Sequence, residues 1–227
     1  MTASQKAATL FRDAFDAELL DVGEVHDDST QWSVAGRGRS KANPAGEDEV
    51  WWRTHGPEMV QRWLDWRIKS GWQVWTTPDG QPAIELPIVV DVDGETVKMY
   101  IDRVMVEPVT KSLVIVDVKT GSRTPDSDLQ LGFYRLGIME LYGIDAKHGA
   151  YWMARQGNIG EIFSLERFDP RLMSLWFKRW RTAVDNQIFL PHITTRCRAC
   201  SMRDYCLAYG GSKSHLDPDR QIVESAA

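Results

Sequence analysis

The sequence predicts an α/β domain in which helices flank a mixed central sheet, followed by a short extension that carries cysteines. Segments rich in β-branched residues lie in the middle of the chain, and segments with helical spacing of apolar residues lie on both sides of them. Helices before and after a sheet are typical of this fold class. The 227 residues, 43% of them hydrophobic and ten of them Trp, are enough to bury one sizeable core.

The first two predicted elements are helices. The N-terminal segment predicts a short amphipathic helix with one of two apolar stripes, either Leu10, Ala14 and Ala17 or Phe11, Phe15 and Leu19. A loop rich in Gly and basic residues is predicted at residues 36–46. The next helix is predicted to have Pro57 in its first turn and to end at Gly71. Its apolar stripe consists of Val60, Trp63 and Leu64.

Strands are predicted next, at residues 83–90, 96–106 and 113–119, with turns at Asp93-Gly94 and Glu107-Pro108 between them. The remaining predicted elements are a helix at 127–142, a hairpin of 150–154 with 161–165, and a helix at 171–186. This pattern predicts a domain over residues 1–190, a cysteine-bearing extension over 191–210 and a flexible tail over 211–227.

Composition narrows the class of protein. The net charge of −5 gives no global attraction to nucleic acid, which disfavours a protein that coats DNA passively but leaves room for a nuclease with local basic surface. No segment approaches the roughly 20 apolar residues that span a membrane, and the N-terminus lacks the features of a signal peptide. All three Cys lie between residues 197 and 206, which argues against a disulfide scaffold. We therefore expect a soluble cytoplasmic protein.

One predicted strand carries charged residues on an apolar face. Alternate residues of a strand share a face, so Asp117 and Lys119 point the same way as Leu113 and Ile115. Placing an acid and a lysine on such a face costs desolvation free energy. The pattern therefore indicates that these side chains have a partner or a chemical task.

The preceding strand brings a second carboxylate to the same place. If the two strands form a hairpin with Asp102 opposite Asp117, the turn centres between Val109 and Thr110, where the sequence predicts it. The two Cβ atoms then lie roughly 5 Å apart, and two carboxylates at that range repel each other unless a cation lies between them. Oxygen ligands favour Mg²⁺ or Mn²⁺, and Lys119 can stabilise phosphate charge. The alternative is an Asp-Lys salt bridge and an unrelated turn Asp.

Three short motifs extend this pattern: Ile101-Asp102-Arg103-Val104, Val116-Asp117-Val118-Lys119-Thr120-Gly121 and Gln130-Leu131-Gly132-Phe133-Tyr134. In this order they resemble the RecB-like nucleases of the PD-(D/E)XK superfamily, including the CRISPR-associated RecB-family exonucleases and phage exonucleases. The resemblance covers residues 83–142 well and reaches 206 with the cysteines. It implies a restriction-endonuclease-like core.

The resemblance also implies roles for individual residues. Asp102, Asp117 and the Val118 carbonyl would bind the metal ion, and Lys119 would be catalytic. Gln130 and Tyr134, which share one helical face, would steady the active site and the substrate backbone. The alternative is that Ser127-x-x-Gln130 is a capping box and Tyr134 an interface aromatic.

Two further residues resemble metal ligands of the family. Glu85 lies ahead of Asp102 in the strand region and resembles an acidic residue of the family. His55 lies 47 residues before Asp102, where many members place a metal-binding His. The alternative for His55 is an ordinary surface or core histidine.

The cysteines Cys197, Cys200 and Cys206 resemble the C-terminal cysteines that bind a four-iron four-sulfur cluster in some branches of the family. Those branches take a fourth Cys from the N-terminal part, and this chain has no other Cys. The open alternatives are an iron–sulfur cluster with a non-Cys ligand, zinc with His192 or His26, a vestige of a lost site, and three buried thiols. The CxxC spacing beside basic residues favours a metal over three inert thiols, and of the two metal sites we expect an iron–sulfur cluster in preference to zinc.

Residues 171–206 are locally basic, and their Arg side chains are candidates for contacts to a single DNA strand. Together these features predict a metal-dependent DNA nuclease, acting as an exonuclease on single strands or ends, in repair, recombination or phage replication. DNA is the expected partner, together with other recombination or replication proteins. The alternatives are a catalytically silent DNA-binding or partner-recruiting module and a zinc-binding interaction protein.

Overall fold

The computed structural model describes residues 3–25, 46–188, 191–194, 197, 200 and 202–211. Its helices are α1 (Ala3–Val25), α2 (Glu49–Ser70), α3 (Leu129–Tyr142) and α4 (Pro170–Asp185). Its strands are β1 (Gln73–Val74), β2 (Ile84–Val92), β3 (Glu95–Val106), β4 (Leu113–Lys119), β5 (His148–Met153), β6 (Asn158–Ile159) and β7 (Phe163–Ser164). The chain divides into a unit of residues 1–177, which holds the sheet, and a unit of residues 178–227, which holds the cysteines.

The strands form one mixed sheet, as the sequence predicts. Its order is β1-β3-β4-β5-β6, with β2 also paired to β3 and β7 to β5. The β2–β3 and β3–β4 pairs are antiparallel, whereas β4 and β5 are parallel and are joined through α3. The predicted hairpin of 150–154 with 161–165 is present as the antiparallel pair of β5 and β7, and the short strand β6 between them also pairs with β5.

Local turn chemistry sets the register of the two hairpins. Asp93 and Gly94 have φ values of 54° and 87°, as a two-residue type I′ turn requires. In the next turn, the Glu107 carboxylate accepts hydrogen bonds from the backbone N–H groups of Val109 (3.0 Å) and Thr110 (2.5 Å). The resulting β3–β4 register pairs Arg103 with Val116, which is the register that the turn signals predict.

The sheet has a packed core on each face. The core on the side of α3 is called the α3-face core here, and it includes Ile88, Ile101, Ile115, Leu131 and Tyr134. The core on the side of α2 is called the α2-face core, and it includes Trp52, Met59, Met105, Val116 and Trp152. Residues of β4 alternate between the two, so the face of Leu113 and Ile115 packs toward α3.

Helix α2 begins at Glu49, eight residues before Pro57, whereas the sequence predicts Pro57 in the first turn. Its cap is Asp48, whose side chain accepts a hydrogen bond from the Trp51 N–H at 3.0 Å, so Pro57 lies inside the helix rather than in its first turn. Burial of Trp52 in the α2-face core stabilises the added turns and outweighs the hydrogen bond that Pro57 removes. The predicted end at Gly71 is confirmed, because Gly71 caps the helix with φ 72°.

Helix α1 is longer than predicted and uses the second of its two possible stripes. Phe11, Phe15 and Leu19 are half-buried, whereas Leu10 is 58% exposed. A Cβ at Gly56 would lie 1.9 Å from the Phe11 ring, so glycine allows α1 to approach α2 closely. None of the described helices combines the length and the apolar content that a membrane crossing needs. The predicted loop at 36–46, except Gly46, and the predicted tail, except Gly211, lie outside the described residues.

Candidate active site

The candidate site lies where β3 and β4 stop pairing as strands. Their ladder ends at the pair of Arg103 and Val116. Ile101 and Val104 are three residues apart, yet both pack in the α3-face core, so the regular alternation of β3 is broken between them. At this break the Asp102 carboxylate accepts a hydrogen bond from the Val118 N–H at 2.8 Å. A side chain thus replaces a backbone partner and holds Asp102 against the end of β4.

Asp117 is a buried carboxylate on the face of β4 that packs toward α3. It is 1% exposed, and Lys119 Nζ lies 2.5 Å from Asp117 Oδ2. That approach lacks hydrogen-bond geometry, so Oδ2 has a charge partner but no hydrogen-bond donor. Burial raises the pKa of Asp117 and the charges of Asp102 and Glu85 raise it further, while Lys119 opposes both effects. Ionised Asp117 therefore depends on Lys119 for charge compensation.

These residues fit a hard divalent cation. A buried carboxylate oxygen without a donor, next to a second carboxylate, is the kind of ligand that Mg²⁺ and Mn²⁺ prefer. Within the described ranges, no group of three or more His, Cys, Asp or Glu side chains is arranged to hold a metal ion. Mg²⁺ commonly uses one or two protein carboxylates and takes its other ligands from water and substrate phosphate, so Asp102 and Asp117 are sufficient as its protein carboxylates.

A chain of side-chain contacts leads from Lys119 to helix α3. Lys119 Nζ donates to Gln130 Oε1 at 3.5 Å, and Gln130 Nε2 donates to the Tyr134 hydroxyl at 2.6 Å. The capping-box interpretation of Gln130 is therefore wrong, because this side chain points to Lys119 and Tyr134 instead of the helix start. Burial raises the pKa of the Tyr134 phenol, with smaller contributions from the carboxylates of the site.

Glu85 lies in strand β2 with φ 45°, outside the usual strand region. Its carboxylate is 3.0 Å from Arg103 Nη1, and the same nitrogen donates to the Asp102 carbonyl oxygen. The sequence analysis gave Arg103 no role. Its position directly after Asp102 could have indicated that it belongs to the site. It fixes Glu85 beside Asp102.

His55 lies on α2, one turn after Trp51. Its Nδ1 is 2.9 Å from the Trp51 carbonyl oxygen, and its ring stacks on the Trp51 indole with the ring centres 4.3 Å apart. Both contacts are with Trp51 and do not test whether His55 binds a metal ion. That role stays a prediction. Asp102, Asp117, Lys119, Gln130 and Tyr134 are the predicted residues that the structure links by hydrogen bonds or charge.

A second arginine, also missed from the sequence, holds the chain just after Lys119. The Ala154 N–H donates to the Lys119 carbonyl at 2.9 Å, and Arg155 Nε donates to the Thr120 carbonyl at 2.6 Å. Arg155 also makes two hydrogen bonds to the buried Glu47 carboxylate, at 3.0 and 2.7 Å. The sequence gives little indication of the pair between Arg155 and Glu47, because the two residues lie 108 positions apart.

The cysteines lie in the second unit of the chain. Cys197 and Cys206 are half-buried and Cys200 is exposed. Cys197 Sγ accepts a hydrogen bond from the Thr194 N–H at 3.2 Å. In the part of the chain that the structure describes, these thiols do not meet in a group that could hold a metal, so the structure does not support an iron–sulfur cluster or zinc there. His26, one candidate zinc ligand, lies outside the described residues.

Comparison with known proteins agrees with this geometry. The family model described as PD-(D/E)XK nuclease superfamily matches residues 3–207. The Gene 69 protein of Mycobacterium phage D29 is 40% identical over 162 residues, covering 67% of this chain and 58% of the phage protein. The Gene 69 protein of Mycobacterium phage L5 is 32% identical over 179 residues, covering 68% of this chain and 58% of the phage protein. This chain therefore spans less than two thirds of the length of either relative.

Proposed function

Since this chain belongs to the PD-(D/E)XK nuclease superfamily, whose members are typically nucleases that depend on Mg²⁺ or Mn²⁺, we propose that it is a DNA exonuclease acting on single strands or DNA ends. The observation that carries the proposal is the buried Asp117, whose Oδ2 lacks a hydrogen-bond donor although Lys119 and Asp102 adjoin it. The preference for ends and single strands is supported by the resemblance of the three motifs to exonucleases.

Different side chains have different roles in the proposed phosphodiester hydrolysis. Asp102 and Asp117 would hold the metal ion, with the Val118 carbonyl, Glu85 and His55 as further candidate ligands. A divalent ion at such a site supplies charge for the phosphate and a more acidic water. The Lys119 ammonium lies beside Asp117 and stabilises negative charge on the phosphate oxygens. Gln130 orients Lys119, and Tyr134 in turn orients Gln130.

The test is digestion of end-labelled single- and double-stranded DNA with Mg²⁺ or Mn²⁺, with closed circular single strands as the substrate without ends. We expect cleavage of the linear substrates, none of the circles, and reversible arrest by a chelator. Cleavage of the circles would contradict the exonuclease assignment. Cleavage that persists in excess chelator, by protein freed of metal, would contradict the metal-dependent mechanism.

Variants test the residues. Asp117→Ala and Lys119→Ala are expected to lower the cleavage rate by about a hundredfold or more while the protein stays folded, as is common for groups that stabilise charge in a transition state. Glu140→Ala and Lys98→Ala remove an exposed carboxylate and an exposed lysine away from the site and serve as matched controls. Wild-type turnover in either site variant would remove that residue from the active site. A protein that binds DNA and cleaves none would be the catalytically silent module.

The remaining predictions rest on the sequence alone. An iron–sulfur cluster at the cysteines, with zinc as the alternative, is tested by elemental analysis of anaerobically purified protein. Cytoplasmic location and association with recombination or replication proteins likewise stay predictions.

A further inference from the structure

An aromatic cleft of about 300 Å³ opens on the α2 side of the sheet. Four aromatic side chains from three elements line it, namely Phe11, Trp52, Trp63 and Trp152. Its volume is at the lower end of the range typical for small-molecule sites. The walls therefore suit one flat ring system better than a folded peptide segment.

The cleft borders the strands that carry the candidate active site. Arg103, which follows Asp102, and Val118 and Thr120, which flank Lys119, also line it. Because neighbouring residues of a strand point to opposite faces, the cleft lies across the ends of β3 and β4 from the Asp117 carboxylate. A nucleic-acid strand that passes the ends of β3 and β4 therefore meets the cleft on one side of the sheet and the Asp117 carboxylate on the other.

The polar and aromatic groups of the cleft indicate which class of ligand fits it. The indole nitrogens of Trp52 and Trp152 are buried and have no hydrogen-bond partner among the described residues. Because these two N–H groups are closed off from the open part of the cleft, its aromatic walls and the Arg103 cation determine which occupant fits. The Arg103 guanidinium lies 5.8 Å from the centre of the Trp63 ring, so the cleft also combines a cation with an aromatic wall. A nucleobase is planar, carries acceptor nitrogens and oxygens, and stacks on aromatic and guanidinium groups.

We propose that this cleft binds one nucleobase of the substrate strand, next to the phosphodiester that is cleaved. The proposal rests on the nuclease function proposed above and adds a base-binding subsite to it. Stacking dominates the recognition, so the subsite accepts all four bases. The apolar walls exclude the phosphate itself, which stays at the rim near Arg103.

The first test uses the wild-type protein and end-labelled single-stranded oligonucleotides that each lack one base. Removing the base that enters the cleft leaves the phosphodiester in place but removes its stacking partner. We expect one bond, at a fixed distance from the abasic position, to be cleaved about tenfold more slowly than in the intact oligonucleotide. Moving the abasic position along the strand moves the slow bond with it. A product ladder that is unchanged by the abasic position overturns the proposal and leaves the nuclease function standing, whereas no cleavage of any oligonucleotide overturns both.

The second test assigns the effect to the cleft. Trp63→Ala is expected to raise KM for the intact oligonucleotide with little change in kcat, and to abolish the slow bond on abasic substrates because the stacking is already lost. Trp63→Phe should restore both readouts. Trp66→Ala is the matched control, because the Trp66 ring contacts the Trp63 ring, with the ring centres 5.2 Å apart, but Trp66 does not line the cleft. If Trp63→Ala still cleaves that one bond of the abasic oligonucleotide as much more slowly as the wild type does, the assignment to this cleft is overturned.

Discussion

At the scale of single residues, Asp117 combines burial with a shortage of hydrogen-bond donors. It is 1% exposed, Lys119 is its nearest cation, and burial raises its pKa. The pKa is thus higher in the folded than in the unfolded chain, so the folded chain binds more protons between the two values. This carboxyl favours folding most below its unfolded pKa and progressively less as the pH rises through its folded pKa. A bound cation would relieve the resulting penalty at neutral pH.

Asp117→Asn is therefore expected to raise the melting temperature of the metal-free protein at pH 7, and the gain should shrink toward pH 4. Adding Mn²⁺ should stabilise the wild-type protein and leave the variant almost unchanged, because only the wild type offers both carboxylates. Thermal unfolding in chelator and in Mn²⁺ measures both effects. Equal stabilisation of the two proteins by Mn²⁺ would show that Asp117 is not a ligand. The exposed Glu140→Gln change controls for loss of one charge.

At the scale of elements, the end of β4 is held by groups from two other parts of the chain. The Arg155 side chain lies 4.7 Å from the Trp51 ring, donates to the Thr120 carbonyl, and pairs with Glu47, whose side chain is 4% exposed. A buried pair of this kind is costly to break because the remaining charge stays without a partner. It connects the start of α2 to the residue that follows Lys119, and so acts as a positioning device for the Lys119 backbone.

Arg155→Lys is expected to lower kcat by about tenfold to a hundredfold with a smaller effect on KM, because small displacements of a catalytic group can cost that much. Lysine keeps the charge beside Glu47 but cannot donate to Glu47 and Thr120 through the same planar fork. Steady-state kinetics and thermal unfolding of the same samples separate positioning from stability. Lys147→Ala removes an exposed ion pair and serves as the control. A full kcat in Arg155→Lys would mean that the Thr120 contact does not position Lys119.

At the scale of the whole molecule, the candidate active site and the cysteines lie in different units of the chain. The carboxylates of the active site are hard oxygen ligands, and the cysteine thiolates are soft ligands. The two sets share no residue. The chain also spans 58% of each phage relative, so activities that depend on the rest of those proteins are a separate question.

Cys200→Ser is expected to leave Mg²⁺-dependent cleavage unchanged, because Asp102 and Asp117 do not depend on thiolate ligands. If the wild type carries iron or zinc, the variant should lose that metal and become easier to proteolyse in residues 191–210. Elemental analysis, limited proteolysis and cleavage rates on the same preparations decide between these outcomes. Parallel loss of soft metal and cleavage would contradict the independence of the two sites. A wild-type protein free of iron and zinc would mean that the cysteines only pack.

The sequence alone predicted the features that depend on neighbours along the chain. Alternation along β4 predicted that Asp117 and Lys119 share the face of Leu113 and Ile115, and the packing of that face toward α3 agrees. Turn residues predicted the β3–β4 register that pairs Arg103 with Val116. Gly71 marked the end of α2 correctly. These signals are short-range, because a turn or a strand period involves only a few consecutive residues.

Only the tertiary structure decided which residues meet from distant parts of the chain. The start of α2 depends on burial of Trp52, and the choice of stripe on α1 depends on the approach of Phe11 to Gly56. The ladder break at Asp102 and the support of Thr120 by Arg155 are likewise long-range contacts. Such contacts are selected by burial and by the pairing of polar groups across the fold, so the local sequence pattern does not specify them.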